Sequence, residues 1–148
     1  MIKDSIYRNY KPEVIPPTEC KDIALWFVFS GNKLLVTETG NKAYIISAVN
    51  LEQHNIKPIR VQYLGTLGGV HCYSAEVEHD AKPPGNMCFK DLRSLFGILE
   101  DEIFLLAGRA VQIVAWDSTH QYCGRCGART QTKHDERAKF CPECGLLS

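Results

Sequence analysis

Two Cys-x-x-Cys pairs, CGRC at 123–126 and CPEC at 141–144, constrain this chain more than anything else in it. Fourteen residues separate them. A segment this short and polar has no apolar core of its own. Two such pairs at this spacing supply the four-thiolate shell of a zinc ion. The expected ligands are Cys123, Cys126, Cys141 and Cys144. Gly127 and Gly145 follow the second cysteine of each pair, where a backbone curling around a metal calls for positive φ. Pro142 fixes φ inside the second turn. Four thiolates complete a tetrahedron and leave no position for water or substrate, so this zinc is expected to be structural rather than catalytic. The alternative, a redox dithiol, would need just one of the two pairs.

About 120 residues precede the cysteine pairs, enough to bury a real core. The chain has 17 basic and 17 acidic side chains, a formal charge of zero. That balance gives no global pull toward nucleic acid or an anionic membrane. The N-terminal MIKDSIYRNY is polar and lacks the apolar stretch of a secretory signal. The longest apolar run, Ile23 to Phe29, is too short to cross a bilayer, and no membrane partner is expected. Seven cysteines without an export signal point to a reducing, cytoplasmic compartment. Cys20, Cys72 and Cys88 have no paired spacing and read as small apolar fillers.

Residues 1–20, with Pro12, Pro16 and Pro17, read as an irregular lead-in. Ile23–Ser30 and Lys33–Thr37 flank a Gly31-Asn32 turn signal and predict a hairpin. Ala43–Ser47 predicts a third strand. Ile59–Leu64 and Val70–Val77, across the glycines at 65–69, predict a second hairpin. HDAKPPG at 79–85 breaks the pattern. Phe89, Leu92, Leu95 and Phe96 then fall at helical spacing, with Gly97 to end that helix. Asp101 is the expected N-cap of a longer helix running to about His120. Its apolar stripe is Ile103, Phe104, Ala107, Ala110, Val111 and Val114, and Gly108 is expected to permit close packing. The fold class is α+β: an antiparallel β-rich domain at 1–120 with a linker helix, followed by a small zinc ribbon at 121–148.

Within the ribbon, Arg125, Arg129, Lys133, Arg137 and Lys139 outnumber Asp135, Glu136 and Glu143. They are expected chiefly to offset the thiolate charge; a phosphate-binding patch is the sharper alternative. Tyr122 and Phe140 each precede a metal turn and read as packing over a minimal core, with a base-stacking platform as the alternative. His120 and His134 are expected to be surface or hydrogen-bonded residues, and His54, His71 and His79 stand without an adjacent carboxylate–nucleophile set. Loss of one ribbon cysteine is expected to melt 121–148 and leave most of the upstream domain folded.

The segment LLAGRAVQIVAWDSTHQYCGRCGARTQTKHDERAKFCPECGL, 105–146, closely resembles the linker helix and zinc ribbon of the NADH pyrophosphatase branch of the Nudix hydrolases. The resemblance rests on AGRA at 107–110, WDSTHQYCGRCG at 116–127 and ERAKFCPECG at 136–145; YLGTLGG at 63–69 and RSLFGILEDE at 93–102 resemble that family more loosely. It implies a degenerate Nudix-like α+β unit ahead of the ribbon. It also implies a homodimeric parent enzyme that cleaves NADH or NAD to nicotinamide mononucleotide and AMP, with bacterial members resembling removers of NAD caps from RNA. Such enzymes use magnesium or manganese, held by glutamates of the box G-x5-E-x7-R-E-U-x-E-E-x-G-U, where U is a bulky aliphatic residue. This sequence has no Arg-Glu and no Glu-Glu pair, so no catalytic residue is carried over and only the four cysteines match position by position. The expectation is a fragment whose partner is a C-terminal Nudix domain lying beyond it. A zinc-ribbon module in weak contact with RNA is the alternative.

Overall fold

The computed structural model describes residues 9–19 and 21–148. The N-terminal domain is built on one sheet. Its strands are β1 (Tyr10–Pro12), β2 (Ala24–Ser30), β3 (Lys33–Thr39), β4 (Lys42–Tyr44), β5 (Ile46–Ala48), β6 (Arg60–Leu67), β7 (Val70–Val77) and β8 (Cys88–Asp91). The main path runs β1-β6-β7-β2-β3-β4, with β5 on β2 and β8 on β3. Two helices follow, α1 (Leu92–Leu95) and α2 (Asp101–Thr119). The ribbon contributes β9 (Gln131–Thr132) and β10 (Lys139–Phe140), which pair antiparallel.

Both expected hairpins form. Ser30 pairs with Lys33 around Gly31, whose φ is 61°. Leu67 pairs with Val70 across Gly68 and Gly69, both at positive φ, the backbone sense that matches strand twist in a two-residue loop. The sheet is mostly antiparallel, as expected, but β2 and β7 join the hairpins by parallel pairing from Leu25–Cys72 to Ser30–Val77. That pair sits at the centre, which explains the unbroken apolar run ALWFVFS. Phe27 and Phe29 face one side with Leu64, Cys72, Leu106, Ala110 and Ile113; Trp26 and Val28 face the other with Tyr63, Tyr73 and Ala75. A strand buried on both faces has no polar alternation to show.

Four sequence expectations are corrected. The lead-in is not wholly irregular, since Tyr10–Pro12 pairs with Gly65–Leu67 as an edge strand, where proline is tolerated. The 43–48 segment is two strands broken at Ile45, β4 on β3 and β5 on β2. Phe89 lies in β8 opposite Leu35, so α1 is a single turn capped by the Asp91 carboxylate, which accepts from Ser94 N at 3.0 Å. Asp101 is the first helical residue of α2 rather than its cap; Glu100 holds the cap position without a side-chain bond.

Helix α2 keeps its first turn acidic with Asp101 and Glu102, which suits the positive end of the helix dipole. Its buried stripe is Leu106, Ala107, Ala110, Ile113, Val114 and Asp117, rotated slightly from the expected one; Ile103, Phe104 and Val111 flank it half-buried. Gly108 has open space where a Cβ would stand, so it does not serve close packing. The helix ends at His120, and Ser118 and Thr119 hydroxyls donate to the Ala115 carbonyl. Among the described residues, no helix is long and apolar enough to cross a membrane.

Candidate metal centre and its junction with the sheet

Each cysteine pair sits on the same small backbone device. In the first, Cys123 N donates to Ala128 O at 2.7 Å and Gly127 N donates to Cys123 O at 2.9 Å. In the second, Cys141 N donates to Leu146 O and Gly145 N to Cys141 O, both at 2.9 Å. Gly127 and Gly145 both have φ of 79°, the left-handed turn expected for them. The two loops therefore face each other as near copies.

The loops bring all four sulfurs within 4.8 Å of one another. Cys123 Sγ is 3.6 Å from Cys144 Sγ, and Cys126 Sγ is 3.5 Å from Cys141 Sγ. Zinc–sulfur bonds of about 2.3 Å place the corners of a tetrahedron roughly 3.8 Å apart, so a zinc ion fits this cage with little adjustment. Backbone amides already point at the sulfurs. Arg125 N and Cys126 N donate to Cys123 Sγ at 3.4 and 3.5 Å, and Cys144 N donates to Cys141 Sγ at 3.5 Å. The Cys126 and Arg125 amides pull the Cys123 thiol down to about 6, and the Cys144 amide lowers Cys141. Thiolate, the form that ligates metal, is thus favoured near neutral pH at Cys123. At Cys126 the Ala128 amide is outweighed by hydrogen bonds with the neighbouring sulfurs, which hold that thiol up at about 12. Among the described residues this is the one cluster of three or more His, Cys, Asp or Glu side chains close enough to share an ion.

The remaining candidates are scattered. Cys72 is fully buried beneath the helix, and burial pushes its thiol up to about 12, as befits a core filler. Cys88 is half-buried with Sγ 3.4 Å from Glu38 Oε1. Cys20 lies outside the described residues. His71 Nδ1 is 2.8 Å from the Tyr63 hydroxyl, and His120 Nδ1 is 2.8 Å from Trp116 O. His54 closes a short 3-10 turn, and His79 packs near Gly31. Neither joins a carboxylate or nucleophile cluster. A cleft of about 510 Å³ is walled mainly by Leu25, Ala43, Ile45, Ile98 and Ile103, and offers no such set.

The basic residues of the ribbon do not act together. Lys139 is buried and its ammonium lies 2.6 Å from Asp117 Oδ1 on α2. Arg137 Nη1 donates to Gln62 Oε1 at 2.9 Å and Nη2 to Tyr63 O at 2.6 Å on β6. These two cations grip the sheet domain rather than offsetting the thiolates. Lys133 pairs with Glu136 at 3.8 Å, and Arg129 lies 5.5 Å from the centre of the Tyr122 ring. Tyr122 and Phe140 are 62 % and 38 % exposed, so neither packs over a core as expected. Sequence reasoning missed Asp117. The signal was there: a carboxylate on the buried stripe of the last helical turn, where the dipole opposes it, needs a cation from elsewhere.

Comparison with known proteins agrees with this architecture. Residues 23–116 match the family described as the NADH pyrophosphatase-like rudimentary NUDIX domain, and residues 118–148 match the NADH pyrophosphatase zinc ribbon domain. The NAD-capped RNA hydrolase NudC of Deinococcus radiodurans is 34% identical over 123 residues, which is 83% of this chain and 40% of that protein. The same-named protein of Haemophilus influenzae is 38% identical over 125 residues, 84% of this chain and 43% of that protein. That of Vibrio cholerae is 30% identical over 124 residues, with the same coverage of 84% and 43%. The chain thus spans about two fifths of the length of these relatives. With a sheet domain and a ribbon that each match its description, the chain belongs to the NADH pyrophosphatase family of NUDIX proteins.

Proposed function

We propose that this chain is the noncatalytic N-terminal and zinc-ribbon part of a NAD(H) pyrophosphatase. The parent enzyme would hydrolyse NADH or NAD to nicotinamide mononucleotide and AMP and would remove NAD caps from RNA. The relatives named for NAD-capped RNA hydrolysis support this reading, as does the sulfur cage, which carries it. In this proposal the zinc is held by Cys123, Cys126, Cys141 and Cys144 and is structural, because four thiolates leave it no site for substrate. The natural division is a sheet domain at 1–120 and a ribbon at 121–148. Metal binding contributes on the order of 10 kcal/mol toward ordering such a segment, enough to make the ribbon a stiff joint. Magnesium or manganese would belong to a C-terminal Nudix domain, on which this part packs, in a cytoplasmic homodimer.

The test is direct. Incubated with NADH and manganese, the purified chain is expected to give no nicotinamide mononucleotide above buffer. Robust turnover would contradict the noncatalytic assignment. One observation favours a second reading, in which the ribbon's outer face contacts RNA. Tyr122 is exposed with the Arg129 guanidinium over its ring, and Phe140 pairs across from the exposed Leu147. Aromatic rings flanked by arginine stack on unpaired bases. Retardation of single-stranded RNA, measured across a salt series, separates this role from a purely structural one.

A further inference from the structure

The second ribbon strand delivers a buried cation into the sheet domain. The side chains of Lys139 and Asp117 are 4% and 5% exposed, and Lys139 Nζ also donates to Thr132 Oγ1 at 2.6 Å. The ammonium lies 5.2 Å from the Trp116 ring, on the same helix as Asp117. The Asp117 carboxylate further accepts from Gln62 Nε2 at 3.0 Å and Gln121 Nε2 at 3.2 Å. Gln62 is held from both sides, since its carbonyl oxygen accepts from Arg137. One continuous network therefore joins β6, the last turn of α2 and β10. Both of its cations, Arg137 and Lys139, come from the ribbon.

We infer that metal binding in the ribbon and the integrity of the sheet domain around Asp117 form one cooperative unit. This rests on the zinc reading above. The cage fixes β10, because Lys139 is two residues from Cys141 and its backbone exchanges hydrogen bonds with Ser148 just beyond Cys144. When the cage opens, β10 is released and Lys139 leaves with it. Asp117 is then left without its cation, an unpaired carboxylate at the unfavourable end of a helix dipole, and Gln62 loses the Arg137 that fixes it. The helix end and β6 must open to water to relieve it. The ribbon is thus a metal-dependent latch on the sheet domain, and metal loss is felt beyond residue 120.

Hydrogen exchange on the full chain, before and after chelation, tests this, with zinc content assayed in parallel. On chelation of the wild type, protection at 60–64 and 113–119 is expected to fall on the order of a hundredfold, together with the melting of 121–148. Lys139→Met should loosen the same segments while zinc is still bound. The double variant Asp117→Asn/Lys139→Met removes both charges and keeps an acceptor for Gln62. On chelation it should lose less than about tenfold at 113–119. Two results would overturn the latch: exchange changes confined to 121–148 in the stripped wild type, or equal loosening in the double variant. Absence of zinc from the isolated protein would instead remove the reading on which the latch depends.

Discussion

Cys141→Ser is expected to strip the protein of its metal and to melt residues 121–148. Cys141 is completely buried, receives an amide hydrogen bond at its sulfur, and lies 3.5 Å from Cys126 Sγ. A serine hydroxyl is a poor zinc ligand that stays protonated at neutral pH, so the shell drops to three thiolates. Apart from the Arg137 and Lys139 contacts with the sheet domain, little else holds the ribbon. Its strands are two residues each, paired at Lys139–Thr132 and Phe140–Gln131, far below what a hairpin needs to persist alone. The loss of about 10 kcal/mol of metal-binding free energy outweighs those few bonds. Bound zinc should fall from one per chain to near zero, and amide protection should vanish across both cysteine loops. The sequence-based expectation was that the upstream domain would remain largely folded. The Asp117–Lys139 pair modifies that: the end of α2 and the 60–64 part of β6 loosen, while the rest of the sheet survives. Full zinc stoichiometry in this variant would count against the ligand set.

The second large effect lies far from the metal. Gly65→Ala is expected to detach β1 and to destabilise the sheet domain by about 3 kcal/mol, roughly 10 °C in Tm. Gly65 has a φ of 113° and sits where the β6–β7 register shifts. A Cβ built there would lie 2.0 Å from Lys11 O and 2.7 Å from Glu13 N. Both are backbone atoms of the segment that pairs with β6, so no side-chain rotation relieves the clash. Gly40→Ala is the matched comparison: its φ is 62°, but nothing lies within 4 Å of the added carbon. It should cost about 1 kcal/mol, from backbone strain alone. Thermal melts of the two variants measure the difference. Equal melting temperatures would show that the close approach of β1 carries no weight.

Much of this was legible in the residues. The Gly31-Asn32 signal and the glycines at 65–69 announced their hairpins because a tight loop needs positive φ, though the second turn narrows to Gly68 and Gly69 and Gly65 belongs to β6. The cysteine spacing announced the ribbon because two close Cys-x-x-Cys pairs match the four-ligand shell of a metal ion, and the fold brings all four sulfurs together. The failures have a common cause, which is that pairing is decided by partners distant in sequence. Phe89, Leu92, Leu95 and Phe96 fit a helical spacing, yet β3 offers an open edge and Leu35 captures Phe89 as a strand residue. Tyr10–Pro12 carries no strand pattern of its own and becomes a strand because Gly65 lets it approach. Arg137 and Lys139 looked like part of a charge cluster with Arg125, Arg129 and Lys133. Their partners Gln62, Tyr63 and Asp117 lie 22 to 75 residues away, beyond the reach of local patterning. Asp117 alone carried a local hint, in its place on the buried stripe of a helix C-terminus.

X-ray absorption at the zinc edge of the purified chain tests the central claim most directly. The account predicts one zinc per chain with four sulfur neighbours at about 2.3 Å and no lighter ligand. A protein free of zinc, or a zinc bound by fewer than four sulfurs with an oxygen completing its shell, would contradict it.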